Sequence, residues 1–176
     1  MKSLHKRFFN RLFLIALLFI NSVSVLSAQN TPSPLLVEAR RELPKAFDDE
    51  KECLKLYDKL INIKNPDPLL KGYVGAVIIA RAKHASLFDK KSYLSKGSEM
   101  LEQAISEKPN NTELLFLRLT IQIHLPSFLG YSDNLEADKK FVLKNYASTP
   151  EPLKLRIANF IKECSKFTEE EKAVVR

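Results

Sequence analysis

The segment LLKGYVGAVIIARAKHA, residues 69–85, is apolar around most of its helical circumference, and this limits the folds open to the chain. A helix without a wide polar face must be covered on most sides, so we expect it at the centre of the molecule. Within it, Gly72, Ala76 and Ala80 are spaced four residues apart and lie along one line of the helix. Such a line of small residues predicts the close approach of another backbone.

The rest of the chain consists of amphipathic patterns separated by proline and asparagine, and only four glycines occur in all 176 residues. Apolar residues recur every three or four positions, which is typical of helices with one buried stripe. Pro44 is expected to bend or end the first helix, and residues 86–91 to form a polar connector. We predict helices over residues 34–43, 46–63, 68–85, 91–107, 114–125, 133–146 and 149–164, followed by a short helix capped by Thr168 and Glu171. The predicted fold class is therefore all-α.

Residues 114–125 carry two periodicities at once. From Leu117 to Leu125 apolar and polar residues alternate, which is the pattern of a half-buried strand. The same segment also has a helical stripe, and Asn110 with Glu113 resembles a capping box before it. A single strand would find no partner strand elsewhere in this chain, so the helix is favoured.

The first 28 residues have the pattern of an export signal. Lys2, Lys6, Arg7 and Arg11 precede an apolar run from residue 12 to residue 20, and Ala28 offers a small residue for cleavage. We therefore predict a signal peptide over 1–28, a disordered leader over 29–33 and a single α-helical domain over 34–176. This places the protein outside the cytoplasm, in the periplasm or cell envelope or secreted. An uncleaved membrane anchor is the alternative.

Charge does not favour a nucleic-acid-binding protein. The formal net charge of the whole chain is +7, but four of the cations belong to the predicted signal, which leaves 24 Lys and Arg residues against 21 Asp and Glu residues. The remaining cations are mixed with acids at helical spacing, which indicates a solvated surface. We expect no nucleic-acid partner, and membrane contact only through an uncleaved signal segment.

No pattern of catalytic or metal-binding residues is present. His84 and His124 lie on different predicted helices, and neither has a histidine or cysteine at the spacing of a zinc site. The sequence contains no nucleophile elbow and no glycine-rich phosphate loop. We predict no catalytic residues, no metal and no cofactor. The alternative is an enzyme that uses either histidine with Asp133, Glu136 or Asp138.

Cys53 and Cys164 are a possible disulfide, because export would bring them into an oxidising compartment. Pairing would join the two ends of the helical array. Both residues lie near apolar stripes, where a free cysteine behaves as a small buried hydrophobe, and the unpaired state is favoured.

The segment from Pro126 to Asp133 is richer in bulky apolar residues than a solvated connector. Phe128, Leu129 and Tyr131 are the candidate binding residues, since they would form an exposed recognition patch. The alternative is that Phe128 and Leu129 pack into the core.

The stretch from Tyr93 to Asn111 resembles the second helix and exit turn of a tetratricopeptide repeat, with Gly97, Leu101, Ala104 and Pro109 at the positions that the family occupies with small, large, small and proline residues. This resemblance implies antiparallel helical hairpins in a short tetratricopeptide-like stack that binds a protein or peptide. A compact bundle is the alternative arrangement.

A wider resemblance covers most of residues 53–146. The motifs NTELLFLRL and PSFLGYSDNLEADK, together with Tyr73, Gly75 and residues 82–84, are similar to a group of uncharacterised exported helical proteins of Gram-negative bacteria. The group brings no known activity. We predict a non-catalytic protein- or peptide-interaction module of the cell envelope, with an envelope enzyme or a membrane-anchored accessory factor as alternatives.

Overall fold

The structure, a computed structural model, describes residues 32–176. The predicted signal peptide and most of the predicted leader lie outside the described residues. The described part contains eight α-helices and no strand, which confirms the all-α prediction. No helix within residues 32–176 has the length and apolar character needed to span a membrane. The helices are α1 (Pro34–Asp48), α2 (Glu50–Leu60), α3 (Pro68–His84), α4 (Leu87–Glu107), α5 (Thr112–His124), α6 (Leu135–Asn145), α7 (Glu151–Glu163) and α8 (Glu169–Ala173).

Helix α3 has the central position that its sequence predicts. Asp67 caps it by accepting hydrogen bonds from the backbone N–H groups of Leu69 at 3.0 Å and Leu70 at 3.2 Å. Eleven of its 17 residues are buried, and they lie on all sides of the helix. Helices α2, α4 and α5 pack around it.

The first helix continues through Pro44 to Asp48, so the predicted break at this proline is wrong. Leu43 and Ala46 flank the proline and are both buried, so core packing holds this stretch in the helix. Asp49 then begins α2 by accepting a hydrogen bond from the Glu52 N–H at 2.9 Å. Burial here outweighs the local cost of a proline inside a helix.

Helix α4 begins at Leu87, and only Ala85 and Ser86 connect it to α3. The predicted polar connector over residues 86–91 is therefore wrong. Ser86 precedes the first turn, and its hydroxyl donates to Asp89 Oδ2 at 2.7 Å. Leu87 and Phe88 are 84% and 95% exposed, so the first turn of α4 has no buried face. The sequence pattern of a buried stripe is therefore missing at the start of this helix.

Helices α3 and α4 approach most closely where Gly75 faces Gly97. A Cβ at Gly75 would lie 2.7 Å from the Gly97 carbonyl oxygen and 2.8 Å from the Leu101 nitrogen. The line of Gly72, Ala76 and Ala80 is buried as well. A Cβ at Gly72, however, would meet the side chain of Leu114 in α5 rather than a backbone atom. In α3, the close approach of another backbone therefore requires glycine at position 75 and not at position 72.

Residues 114–124 of the predicted range 114–125 are helical in α5, which settles the ambiguity between strand and helix in favour of the helix. Its cap is Asn111, whose side chain accepts from the Leu114 N–H at 3.0 Å, and not Asn110 as the spacing suggested. Apolar residues cover both sides of this helix. Leu114, Leu117 and Ile121 belong to the N-terminal core, which is the buried cluster built from α1 to α5.

The opposite side of α5 contributes to a second cluster, which we term the C-terminal core. Phe160 of α7 packs edge-on against Phe116 and Phe167, with ring centroids 5.5 Å and 6.2 Å away. Thr168 and Glu171 form the predicted capping box at α8. The buried members of the C-terminal core are Phe116, Leu119, Val142, Ile157, Ala158, Ile161, Phe167 and Val175.

Candidate functional site

A cavity of about 260 Å³ lies between α4, α5 and the segment over residues 126–134, and we term it the α4–α5 cavity. Its inner wall is apolar and comes from three helices. Ile79 of α3, Leu101 of α4 and Ile121 of α5 line it and are each at most 5% exposed. The cavity is therefore built into the packed helices rather than formed by a surface loop alone.

The polar wall of the cavity centres on Arg118 of α5. Its Nε and Nη2 each donate to the Asp138 carboxylate at 2.8 Å, and its Nη1 donates to Glu102 Oε2 at 2.6 Å. Burial alone would lower the pKa of Arg118, but the hydrogen bonds and charge of Asp138 outweigh it and raise the pKa. The guanidinium stays charged and ties α4, α5 and α6 together.

Gln122 extends this network to the loop. Its Nε2 donates to Asp138 Oδ2 at 2.9 Å, and its Oε1 accepts from the Asn134 N–H at 3.2 Å. Asp138 is 2% exposed and Gln122 is 5% exposed, so both are held in a protected environment. A hydrogen-bonded network of this kind holds the walls of the cavity in place.

The three predicted binding residues have different positions. Phe128 is 85% exposed, whereas Leu129 is partly buried and packs against the N-terminal core. Tyr131 is partly buried and lines the α4–α5 cavity. Between them Gly130 has a φ of +72°, a left-handed conformation that favours glycine and turns the chain. Their role in binding stays a prediction.

The two histidines are engaged with backbone carbonyls. His84 Nε2 lies 3.0 Å from the Ala46 oxygen, and His124 Nδ1 lies 2.6 Å from the Thr120 oxygen. Neither hydrogen bond involves Asp133, Glu136 or Asp138, the acids that the enzyme alternative would use. Within residues 32–176, no group of three or more histidine, cysteine or acidic side chains is arranged to hold a metal ion.

Cys53 and Cys164 are free in the structure. Cys53 is buried in the N-terminal core, and burial raises the pKa of its thiol. Cys164 is partly buried against the C-terminal core.

A second polar cluster joins α1, α3, α5 and α7. Arg40 donates to the Glu113 carboxylate through Nε at 2.7 Å and Nη2 at 2.6 Å. The hydroxyl of Tyr73 donates to Glu113 Oε1 at 2.7 Å and accepts from Arg156 Nη2 at 2.8 Å. Glu113 is thus part of a buried network and not of the capping box that its spacing from Asn110 suggested.

The protonation states in this second cluster follow from its contacts. Burial alone would raise the pKa of Glu113, but the hydrogen bonds from Arg40 and Tyr73 hold it below its ordinary value. Burial and the neighbouring Glu113 charge raise the pKa of Tyr73 far above its ordinary value. Tyr73 is therefore neutral and Glu113 ionised near neutral pH, and each has its partners, which is the arrangement of a structural cluster.

The residues that the sequence analysis missed are Arg118, Gln122 and Glu102, whereas Asp138 was considered only as an acid that could act with a histidine. Arg118 and Gln122 are two of the polar residues that interrupt an otherwise apolar helix. In the sequence analysis they were only the polar members of the alternation from Leu117 to Leu125. The available signal was that apolar residues cover most of the remaining surface of this helix.

No protein-family model, curated protein sequence or solved structure matches this chain. The resemblance to tetratricopeptide repeats and to exported proteins therefore stays a prediction.

Proposed function

We propose that this protein is a non-catalytic protein- or peptide-interaction module of the cell envelope, and that the α4–α5 cavity with Phe128 and Tyr131 is its binding site. The observation that carries the proposal is the exposed ring of Phe128, at 85% exposure, two residues before Gly130 in the cavity wall. Covering a Phe side chain of this kind contributes about 1.5–3 kcal/mol, so a partner that does so gains affinity.

The Arg118 network supports the proposal because it prepares the cavity for binding. The walls are fixed by hydrogen bonds between α4, α5, α6 and the end of the segment over residues 126–134. A partner then loses less affinity to the ordering of side chains at the interface. Aromatic residues are also among those enriched in protein interfaces.

The α3–α4 pair supports the tetratricopeptide-like arrangement. Two helices joined by only Ala85 and Ser86 run antiparallel, and the Gly75–Gly97 contact lets them pack closely. A stack of such hairpins presents a concave face to a partner.

Export to the envelope rests on the predicted signal peptide over residues 1–28, which lies outside the described residues. Mass spectrometry of the protein purified from its source cells tests it directly. A mature N-terminus at Gln29 or Ala28 is expected, and an intact Met1 terminus would contradict the cleaved form.

Site-specific crosslinking tests the binding site. The photoreactive residue p-benzoylphenylalanine replaces Phe128 in one variant and Leu155, which is 62% exposed on α7, in a matched control. Irradiation of envelope preparations is expected to give a defined protein adduct from position 128 and none from position 155.

A blocking variant makes this experiment specific to the cavity. Ser98 lines the cavity, whereas Ser95 is exposed on the same helix and does not line it. Ser98→Trp places an indole in the cavity and is expected to abolish the adduct, while Ser95→Trp leaves it unchanged. An adduct of equal yield in both variants would refute the proposed site.

A further inference from the structure

The mouth of the α4–α5 cavity is acidic in a chain that has an excess of cations. Glu99, Glu102 and Asp133 line the cavity and are exposed, whereas the whole chain carries 28 Lys and Arg residues against 21 Asp and Glu residues. Among the described residues that line the cavity, Arg118 is the only cation, and it is already bound to Glu102 and Asp138. The carboxylates therefore produce a local negative potential.

Two of these carboxylates retain free acceptor capacity. In the part of the chain that the structure describes, the Asp133 side chain makes no hydrogen bond or ion pair. Glu99 accepts one hydrogen bond, from Gln103 Nε2 at 3.3 Å. An ionised carboxylate has about four acceptor positions. Most of the acceptor positions at the mouth are thus available to a donor from outside.

The apolar inner wall limits the kind of cation that fits. A bare metal ion needs several converging oxygen ligands, and no such group is formed by the described side chains. Ile79, Leu101 and Ile121 instead offer a surface for methylene groups. A long basic side chain has this character, because it buries an apolar stem and keeps its charged head near polar groups.

We infer that the α4–α5 cavity binds the side chain of an arginine, or less tightly a lysine, from a partner protein. This inference rests on the proposed function, since it names the chemistry that the proposed binding site recognises. The methylene stem lies against the inner wall, and the guanidinium donates to Glu99 and Asp133. Tyr131 lines the same cavity and adds an aromatic ring, on which a planar guanidinium stacks better than an ammonium.

A small probe tests the chemistry without knowledge of the partner. n-Butylguanidinium carries the head group and stem of arginine, and n-butylurea is its neutral counterpart of almost the same shape. Binding is followed through the backbone amide signals of the isotope-labelled protein by NMR. We expect n-butylguanidinium to shift amides over residues 98–102, 118–125 and 130–134, with a Kd on the order of 1 mM.

The charge should account for most of this affinity. We expect n-butylurea to bind about tenfold more weakly, because its hydrogen bonds to the carboxylates lack charge assistance. Binding of n-butylguanidinium should also weaken about threefold or more in 0.5 M NaCl, since the carboxylates are exposed and screened by salt. Equal affinity for the two probes would overturn the inference.

Charge-removing variants locate the site. Glu99→Gln and Asp133→Asn are each expected to weaken n-butylguanidinium by about three- to tenfold and to leave n-butylurea unchanged. The matched control is Glu163→Gln, which removes an exposed carboxylate of α7 that lines no part of the cavity. A loss of equal size in this control would attribute the effect to net charge and overturn the inference.

The two experiments fail in different ways. If the adduct from position 128 depends on Ser98 but the two probes bind equally, the cavity is a binding site of another specificity, and only the inference is wrong. If the adduct does not depend on the cavity, the proposed site is wrong whatever the probes do.

Discussion

The packing around α3 predicts different outcomes for two similar substitutions, Gly72→Ala and Gly75→Ala. Both glycines are buried in the same helix, and alanine improves the helix propensity of each by about 1 kcal/mol. The difference is what the new methyl group meets. At Gly75 it meets the backbone of Gly97 and Leu101 at 2.7 Å and 2.8 Å, whereas at Gly72 it meets the end of the Leu114 side chain.

The expected magnitudes follow from these contacts. A carbon and a carbonyl oxygen normally approach to about 3.3 Å, so Gly75→Ala has to move the two helix backbones apart by roughly 0.6 Å. Overpacking of this kind costs about 1–3 kcal/mol, and the upper part of that range applies because backbone atoms cannot rotate away. After the propensity gain, Gly75→Ala should lose about 2 kcal/mol of unfolding free energy.

For Gly72→Ala the cost is limited to a shift of one side chain. A displaced rotamer costs about 0.5–1.5 kcal/mol, which the propensity gain offsets, so the net change should be near zero. Urea unfolding followed by circular dichroism measures both variants. With a slope of about 2 kcal/mol/M, Gly75→Ala should unfold at a midpoint about 1 M lower than the wild type, at an unchanged slope. A midpoint equal to or above that of the wild type would refute the reasoning.

Three further outcomes are expected. Glu113→Gln should destabilise the protein by about 3 kcal/mol, because it removes the buried charge that pairs with Arg40 and Arg156. The loss is at the lower end for a buried ion pair, since both arginines are partly exposed to water. The folded state lowers the pKa of Glu113, so the ionised carboxylate contributes its full stabilisation above a pH of about 4.3 and less as the pH falls. The stabilities of the wild type and of Glu113→Gln should therefore converge on acid titration. Asp138→Asn should cost about 2–3 kcal/mol in urea unfolding by leaving Arg118 without its buried partner, and a loss below about 0.5 kcal/mol would contradict the network. Phe128→Ser should change stability by less than about 0.5 kcal/mol, yet it should lower crosslinking from p-benzoylphenylalanine at position 131.

The helices themselves were predictable because their signal is local. Apolar residues every three or four positions mark the buried stripe of α7, where Ile157 and Ile161 are fully buried. The all-round apolar character of α3 likewise predicts its central position. In both cases the pattern lies within one helix, so it can be recognised without knowledge of the residues that pack against it.

Helix ends were less predictable because distant contacts decide them. Pro44 lies inside a helix since Leu43 and Ala46 are held by the N-terminal core. Leu87 and Phe88 form a first turn that has no buried face of its own. The cap of α5 is Asn111 and not its neighbour Asn110, and the spacing of residues does not distinguish between two adjacent asparagines.

The candidate site was only half predictable for a related reason. Tyr131 and Phe128 attract notice because bulky apolar residues are unusual in a connector. Arg118 and Asp138 are 20 positions apart, and each is an ordinary polar residue in its own segment. Only the packing of α6 against α5 makes them a hydrogen-bonded pair.

Helix α5 has a consequence for how this protein can be divided. Leu114 and Leu117 complete the N-terminal core, while Phe116 and Leu119 complete the C-terminal core. A fragment that ends at Leu125 would leave a phenylalanine and a leucine exposed along one side of its last helix, and a fragment that begins at Pro126 would lose part of its interior. Because one helix serves both interiors, neither half is a self-sufficient folding unit, and a shortened gene product would tend to associate or be degraded rather than retain half of the fold.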